Sequence, residues 1–224
     1  MSNPVVRALV LKDWRLHRMF ISLSIAGGVI ALAILQIKND TAFMVGTIWF
    51  FVALILLATM MPIGNVINER KKQNLAFLMS LPVSATQYAM AKLMSTIGMF
   101  LVPWATLVIA ASTYLLTRPE VPHGLIPLML ILFTMPLVGF CVVAAAALIT
   151  ETEGWAIAAT IVCNSSYGLA WTLIIRNPAI NGNLKSPVPV WNSPVLTILG
   201  GEIGTIVLML GLTIYMQSRK RDFV

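Results

Sequence analysis

Four polar side chains interrupt the long apolar runs in the second half of the chain: Asn164, Ser165, Tyr167 and Glu202. The first three belong to the polar patch "NSSY", and Glu202 is the only acidic or basic residue inside an apolar run. In apolar surroundings such groups either join helices by hydrogen bonds or contact a polar solute. We interpret them as candidate residues of a substrate pathway. Helix–helix hydrogen bonding is the alternative for the patch, and Glu202 would be interfacial if its run began near Gly201.

The sequence offers no pattern typical of a catalytic or metal-binding centre. It lacks H-E-x-x-H, G-x-S-x-G and a pair of membrane aspartates, and its only histidines, His17 and His123, lie outside the apolar runs. It also lacks the G-x-x-x-x-G-K-[ST] loop that binds nucleotide phosphates. We therefore expect no catalytic residue, no metal site and no enzymatic activity in this chain.

The elements that position these residues follow from composition. Of 224 residues, 58% are hydrophobic and only 10% are charged, whereas soluble domains carry about 25% charged residues. A membrane-crossing helix needs about 20 apolar residues. Six runs meet this length: 19–37, 42–67, 93–116, 124–149, 154–175 and about 193–217. Because they lack the two-residue alternation of barrel strands, we predict an all-α membrane protein, one domain over residues 1–224, with six transmembrane helices.

The distribution of charge predicts the topology. The net charge of +7 could suggest nucleic acid, but the basic residues are concentrated before the first run, between the second and third, and after the sixth. Cytoplasmic loops of membrane proteins carry such an excess of Lys and Arg. We therefore expect both termini in the cytoplasm, contact with lipid and no nucleic-acid partner.

The N-terminal residues 3–18 have an amphipathic pattern. Their basic residues share one arc of a helical projection: Arg7, Lys12, Arg15 and Arg18. The opposite arc is apolar and includes Trp14, with Asp13 and His17 as interruptions. This pattern is typical of an interfacial helix beside anionic lipid, although an ordinary flank of the first span would be the alternative.

Residues 176–200, which connect the fifth and sixth runs, differ from the other connectors. They contain four prolines, at positions 178, 187, 189 and 194, and remain half apolar. A freely solvated loop would be more polar, and non-helical backbone at membrane depth must be sheltered by protein. We predict a re-entrant segment on the outer membrane face.

Residues 68–83 form a cytoplasmic insert between the second and third runs. After the polar "NERKKQ", Leu75, Leu78 and Met79 have the spacing of one helix face. Pro82 ends that helix, because the residue before a proline is disfavoured in the helical region. Ser84 and Gln87 then fit a capping box that starts the third span. The insert is either a helix lying on lipid or a docking helix for a cytoplasmic partner.

The stretch "NERKKQNLAFLMSLPVSATQYAMAKL" resembles permeases of the ABC-2 exporter superfamily. The shared features are an E-R pair after the second span, an amphipathic helix, "L-x-S-L-P-V-S" and a Lys early in the third span. They are carried here by Glu69-Arg70, residues 78–84 and Lys92. Elsewhere the resemblance extends only to the architecture.

The resemblance implies that residues 68–83 are the coupling helix of a permease subunit in a bacterial cytoplasmic (inner) membrane. Two permease chains, identical or different, would form the export pathway, and separate ABC ATP-binding subunits would hold ATP and Mg. This chain itself would bind no cofactor. The implied docking residues are Glu69, Arg70, Leu75, Phe77, Leu78, Leu81 and Pro82. An ion- or proton-coupled secondary transporter and a non-transporting scaffold remain alternatives.

Overall fold

The computed structural model describes residues 4–37, 39–67, 85–118 and 121–219. In these ranges the chain forms helices and connecting turns, with no strand. The helices are α1 (Pro4–Ile34), α2 (Asp40–Pro62), α3 (Ala85–Thr117), α4 (Ile126–Thr150), α5 (Glu153–Arg176), α6 (Pro178–Asn181) and α7 (Ser193–Arg219). A π-helical turn, Ile63–Ile67, continues α2, and a 3-10 turn, His123–Leu125, precedes α4.

All of these helices except the four-residue α6 are long and apolar enough to cross a membrane. The prediction of six candidate membrane-spanning helices is therefore confirmed. The start of α3 at Ala85 directly follows the predicted cap, Ser84, and α7 begins at Ser193 as predicted.

The N-terminal boundary differs from the prediction. We expected a separate interfacial helix over residues 3–18, but α1 is one continuous helix of 31 residues with no break near residue 18. The sequence there, "RLHRMFIS", contains no proline or glycine that would end a helix. The four basic residues predicted on one arc are exposed, whereas Asp13 is buried.

The bundle is built around α4, which packs against α2, α5 and α7, while α1 packs against α2 and α3. Phe100 of α3 and Phe140 of α4 stack face to face with ring centroids 4.1 Å apart. Burying aromatic rings of this size contributes strongly to core packing. The centre of the bundle is therefore apolar, and polar side chains within it are exceptions that need an explanation.

The connector between α5 and α7 is a compact structure on the end of α4. Asn177 caps the short helix α6 by accepting a hydrogen bond from the Ala179 N–H (3.0 Å). Ile180 is buried against residues of α4, α5 and α7, and the Gly124 N–H donates to the Ser186 carbonyl (2.9 Å). Part of the connector is thus packed on protein, whereas residues 187–189 and Trp191 are exposed. The predicted re-entrant position on the outer membrane face stays a prediction.

The predicted coupling helix and all seven predicted docking residues lie outside the described residues. The helices on either side of the segment are described: the π-helical turn ends at Ile67, and α3 begins at Ala85.

Candidate functional site

Two of the four predicted pathway residues, Tyr167 and Glu202, line the same cavity between α4, α5 and α7. We call it the carboxylate cavity, and its volume is about 440 Å³. Asn164 and Ser165 do not line it, because they lie on the exposed face of α5. Neighbouring residues on a helix point in different directions, so the contiguous patch cannot act as one site. The structure divides it between two surfaces.

Glu202 is well inside α7. It is the tenth residue of a helix that begins at Ser193 and has 27 residues, which places it about 14 Å along the axis at roughly 1.5 Å per residue. The interfacial alternative assumed that the helix begins near Gly201, but it begins earlier, at Ser193. The depth of Glu202 in a membrane stays a prediction. The Thr134 hydroxyl of α4 donates a hydrogen bond to Glu202 Oε2.

The Glu202 carboxylate lacks a positive partner in the described part of the chain. Its only hydrogen bond there is the one from Thr134, and no Lys, Arg or His of the described ranges forms a salt bridge with it. A carboxylate without a counter-charge in apolar surroundings is costly and is often found at functional positions. The cavity therefore has one acidic side chain on a mainly apolar wall.

Tyr167 forms the other polar part of the cavity wall. Its hydroxyl is buried and has no hydrogen-bond partner among the described residues. The hydroxyl approaches the backbone of α4 at Gly139, where a Cβ atom would overlap it. Gly139 therefore allows α5 to pack closely on α4 at this level.

A second polar site lies at the end of the bundle that holds the start of α1 and the start of α3. We call it the ion-pair cluster; it consists of Asp13, Asn65, Lys92, Ser95 and Thr96, all of which are buried. Lys92 Nζ donates to Asp13 Oδ2 (3.0 Å) and to Asn65 Oδ1 (2.9 Å). The ion pair thus joins α1, α3 and the π-helical turn after α2.

Hydroxyl groups complete the cluster. Ser95 Oγ lies 2.8 Å from Asp13 Oδ2, and the Asn65 amide donates to Ser95 (3.0 Å) and to Thr96 (2.7 Å). A buried ion pair is favourable only when further hydrogen bonds satisfy its remaining atoms. These contacts meet that condition, so the cluster holds three helices in one arrangement.

The π-helical turn places Asn65 in this network. Pro62 has no N–H and cannot donate to the carbonyl four residues earlier, so the regular hydrogen-bond pattern of α2 is interrupted there. Wider π-helical turns within helices occur frequently at functional sites. Here the turn brings a buried amide to an ion pair.

We did not predict the ion-pair cluster from the sequence. Asp13 was only an interruption of the apolar arc of α1, and Lys92 was assigned to a cytoplasmic flank. Their pairing spans 79 positions, and nothing in either local sequence indicates it. The available signal was one acidic and one basic residue, Asp13 and Lys92, each close to the start of an apolar run. The polar Asn65 inside the second run was a further signal.

The described residues contain no group of three or more His, Cys, Asp or Glu side chains that could hold a metal ion. No protein-family model, curated protein or solved structure matches the chain. The described bundle thus offers two candidate sites: the ion-pair cluster at one end and the carboxylate cavity between α4, α5 and α7.

Proposed function

We propose that the chain is the transmembrane permease subunit of an ATP-driven exporter of the ABC-2 type. It resides in a bacterial cytoplasmic membrane with both termini in the cytoplasm. Two permease chains form the translocation pathway, and separate ABC ATP-binding subunits hydrolyse ATP. This chain supplies the pathway and the docking helix, and it binds no nucleotide itself.

The ion-pair cluster is the observation that supports this function most strongly. Asn65 precedes the proposed docking helix, residues 68–83, by three positions, and Lys92 follows its last residue by nine. Both side chains belong to one buried network with Asp13 of α1. A displacement of the docking helix would therefore move α1, α2 and α3 together. An ATP-driven permease requires such a connection between its docking element and its spans.

The docking helix has three parts with different roles. Leu75, Leu78 and Phe77 would supply the apolar contact with the ATP-binding subunit, since apolar side chains in a groove are a common mode of helix recognition. Glu69 and Arg70 would orient the contact at the membrane edge. Leu81 and Pro82 would end the helix and fix the direction of the chain into α3.

The exposed polar residues of α5 support the presence of a second permease chain. Asn164 and Ser165 lie in the middle of an apolar helix and face outward. The Asn164 side chain forms no hydrogen bond within the described residues. An amide that faces hydrocarbon without a partner is costly, and the second chain would cover this surface.

A secondary transporter is the second candidate, and Glu202 is the observation that favours it. Buried carboxylates bind protons or coupling ions in many such proteins. This function would require transport driven by a pH or sodium gradient in proteoliposomes that contain the chain alone. The proposed permease would give no transport under that condition.

The association with the ATP-binding subunit can be tested by substitution. The tagged chain is purified from its native membrane, and co-purifying Mg-ATP hydrolysis is measured together with the identity of the bound ATPase. Leu78→Asp places a charge on the predicted docking face, so we expect loss of the ATPase. Gln73→Asp places the same charge on the opposite face of the predicted helix and should leave the complex intact. Survival of the complex in the Leu78→Asp variant would show that this segment does not dock the ATPase.

A further inference from the structure

We propose that the carboxylate cavity binds a lipophilic cation, that is, an apolar body that carries one positive charge and few hydrogen-bond donors. Quaternary ammonium and phosphonium compounds belong to this class. This inference names the substrate class of the proposed permease and therefore rests on that function. The binding step itself can be measured on the isolated chain.

The size and the walls of the cavity fit a small organic ligand. A volume of about 440 Å³ falls in the range of roughly 300 to 1,000 Å³ that is usual for small-molecule sites. The wall is mainly apolar and comes from all three helices: Met135, Val138, Ala170, Leu173, Ile174 and Ile198. Such a wall favours an apolar body over a sugar or another strongly hydrated solute.

The Tyr167 hydroxyl lies against Gly139 of α4 without a hydrogen-bond partner among the described residues, and the other side chains with a hydroxyl or amide group at the cavity wall each form a hydrogen bond within the chain. Ser166 donates to the Val162 carbonyl, and Thr205 donates to the Gly201 carbonyl. The side-chain oxygen of Asn177 accepts from the Ala179 N–H. These hydrogen bonds go to nearby backbone atoms, so few side-chain groups of the wall remain to hydrogen-bond a polar ligand. Recognition would therefore depend on shape and on charge.

Glu202 supplies the charge. One of its oxygens accepts from Thr134, and the other has no hydrogen-bond partner within the described ranges. Because no described cation pairs with the carboxylate, a bound positive charge would be its counter-ion. The attraction between opposite charges is stronger in apolar surroundings than in bulk water.

The other features of the site favour an organic cation over a metal ion. Hard metal cations take six or more oxygen ligands, and the cavity wall offers one carboxylate in the described part of the chain. The aromatic ring of Tyr167 lines the same cavity, and aromatic faces attract organic cations. One carboxylate with one aromatic ring and an apolar wall is therefore complementary to a lipophilic cation.

Equilibrium binding of tetraphenylphosphonium to the purified chain in nanodiscs tests the proposal. Triphenylphosphine oxide, which is similar in shape and uncharged, serves as the matched probe. We expect saturable tetraphenylphosphonium binding, no competition by the neutral compound, and binding at least about tenfold weaker in Glu202→Gln, which corresponds to the loss of one favourable charge contact. Asp40→Asn removes an exposed carboxylate at the start of α2 and should leave binding unchanged. Equal binding to the wild type and to Glu202→Gln would overturn the proposal.

A second measurement uses the unsubstituted chain and so does not depend on the folding of a variant. Dicyclohexylcarbodiimide labels carboxyl groups in apolar surroundings, and labelled Glu202 is quantified by mass spectrometry. We expect tetraphenylphosphonium, but not triphenylphosphine oxide, to protect Glu202. Labelling that is unchanged by saturating tetraphenylphosphonium would contradict the site. Neither measurement involves an ATPase, so the absence of an ATPase bound to the unsubstituted chain would contradict the proposed function and leave this site standing.

Discussion

Asp13 and Lys92 are charged residues in an apolar bundle, and each depends on the other. They are 3% and 5% exposed, and their nitrogen and oxygen atoms lie 3.0 Å apart. Removing one partner of a buried ion pair leaves an uncompensated charge, whereas neutralising both partners is much less costly. Substitutions in this pair should therefore change the free energy of unfolding more than substitutions in a surface salt bridge.

Lys92→Met should reduce the free energy of unfolding by about 3 kcal/mol, because it leaves the Asp13 carboxylate buried without its cation. The double variant Asp13→Asn/Lys92→Met should recover part of this loss. Reversible unfolding in mixed micelles measures both effects.

Lys12→Met provides the matched control for this prediction. Lys12 lies 3.6 Å from the same carboxylate, but its side chain is 47% exposed, and exposed pairs contribute less than about 1 kcal/mol. Equal losses in Lys12→Met and Lys92→Met would show that burial of the Asp13–Lys92 pair has no special role.

At the scale of the elements, the connector between α5 and α7 is held on the turn before α4 by close backbone contact. A Cβ atom on Gly124 would lie 2.1 Å from the Asn183 carbonyl oxygen. Because that neighbour is backbone, it cannot move aside as a flexible side chain would. Gly124 is therefore required for the connector to dock.

Gly124→Ala should lower the free energy of unfolding by about 2 kcal/mol through this overlap. It should also increase proteolytic cleavage between residues 182 and 192, because the connector would separate from the end of α4. Gly98→Ala is the control, since a Cβ atom there would have no neighbour within 4 Å. If Gly124→Ala unfolded and was cleaved like Gly98→Ala, close packing of the connector would not be important.

The positions of most helices could be predicted from the sequence, because the length of an apolar run restricts the structures that it can form. Uninterrupted apolar runs of membrane length leave few alternatives to a helix, so the predicted runs agree with the observed helices α2, α3, α4, α5 and α7. The break expected between residues 3–18 and the first run is absent, because helix propensity continues through residue 18 without a stop signal. The interfacial position of residues 3–18 stays a prediction. The sequence also could not show which face of α5 packs on α4, and so Tyr167 was grouped with Asn164 and Ser165.

At the scale of the whole molecule, the arrangement of helices leaves α5 and α7 on the periphery. Both pack on α4 and expose most of their apolar residues. The exposed face of α5 differs from that of α7 in carrying Asn164 and Ser165 at mid-length. This difference identifies α5 as the surface on which the proposed second permease chain would lie.

Ser165→Cys should form a cross-linked dimer after mild oxidation in native membranes, in a background where Cys141 and Cys163 are replaced by Ala. The expected product has about twice the mass of one chain if the permease is a homodimer. Ile109→Cys, which is exposed on α3, should not cross-link. A dimer with Ile109→Cys and none with Ser165→Cys would place the second chain elsewhere.

The most direct test of the proposed permease function is to identify the molecule that lies beside Leu78 in the native membrane. A photo-reactive benzoylphenylalanine at position 78 is activated by light, and the adduct is identified by mass spectrometry. We expect a protein adduct whose partner contains the G-x-x-x-x-G-K-[ST] phosphate loop of an ATPase. Adducts with phospholipid alone would mean that residues 68–83 rest on the membrane, and they would contradict the proposal that a separate ATPase drives this chain through that segment.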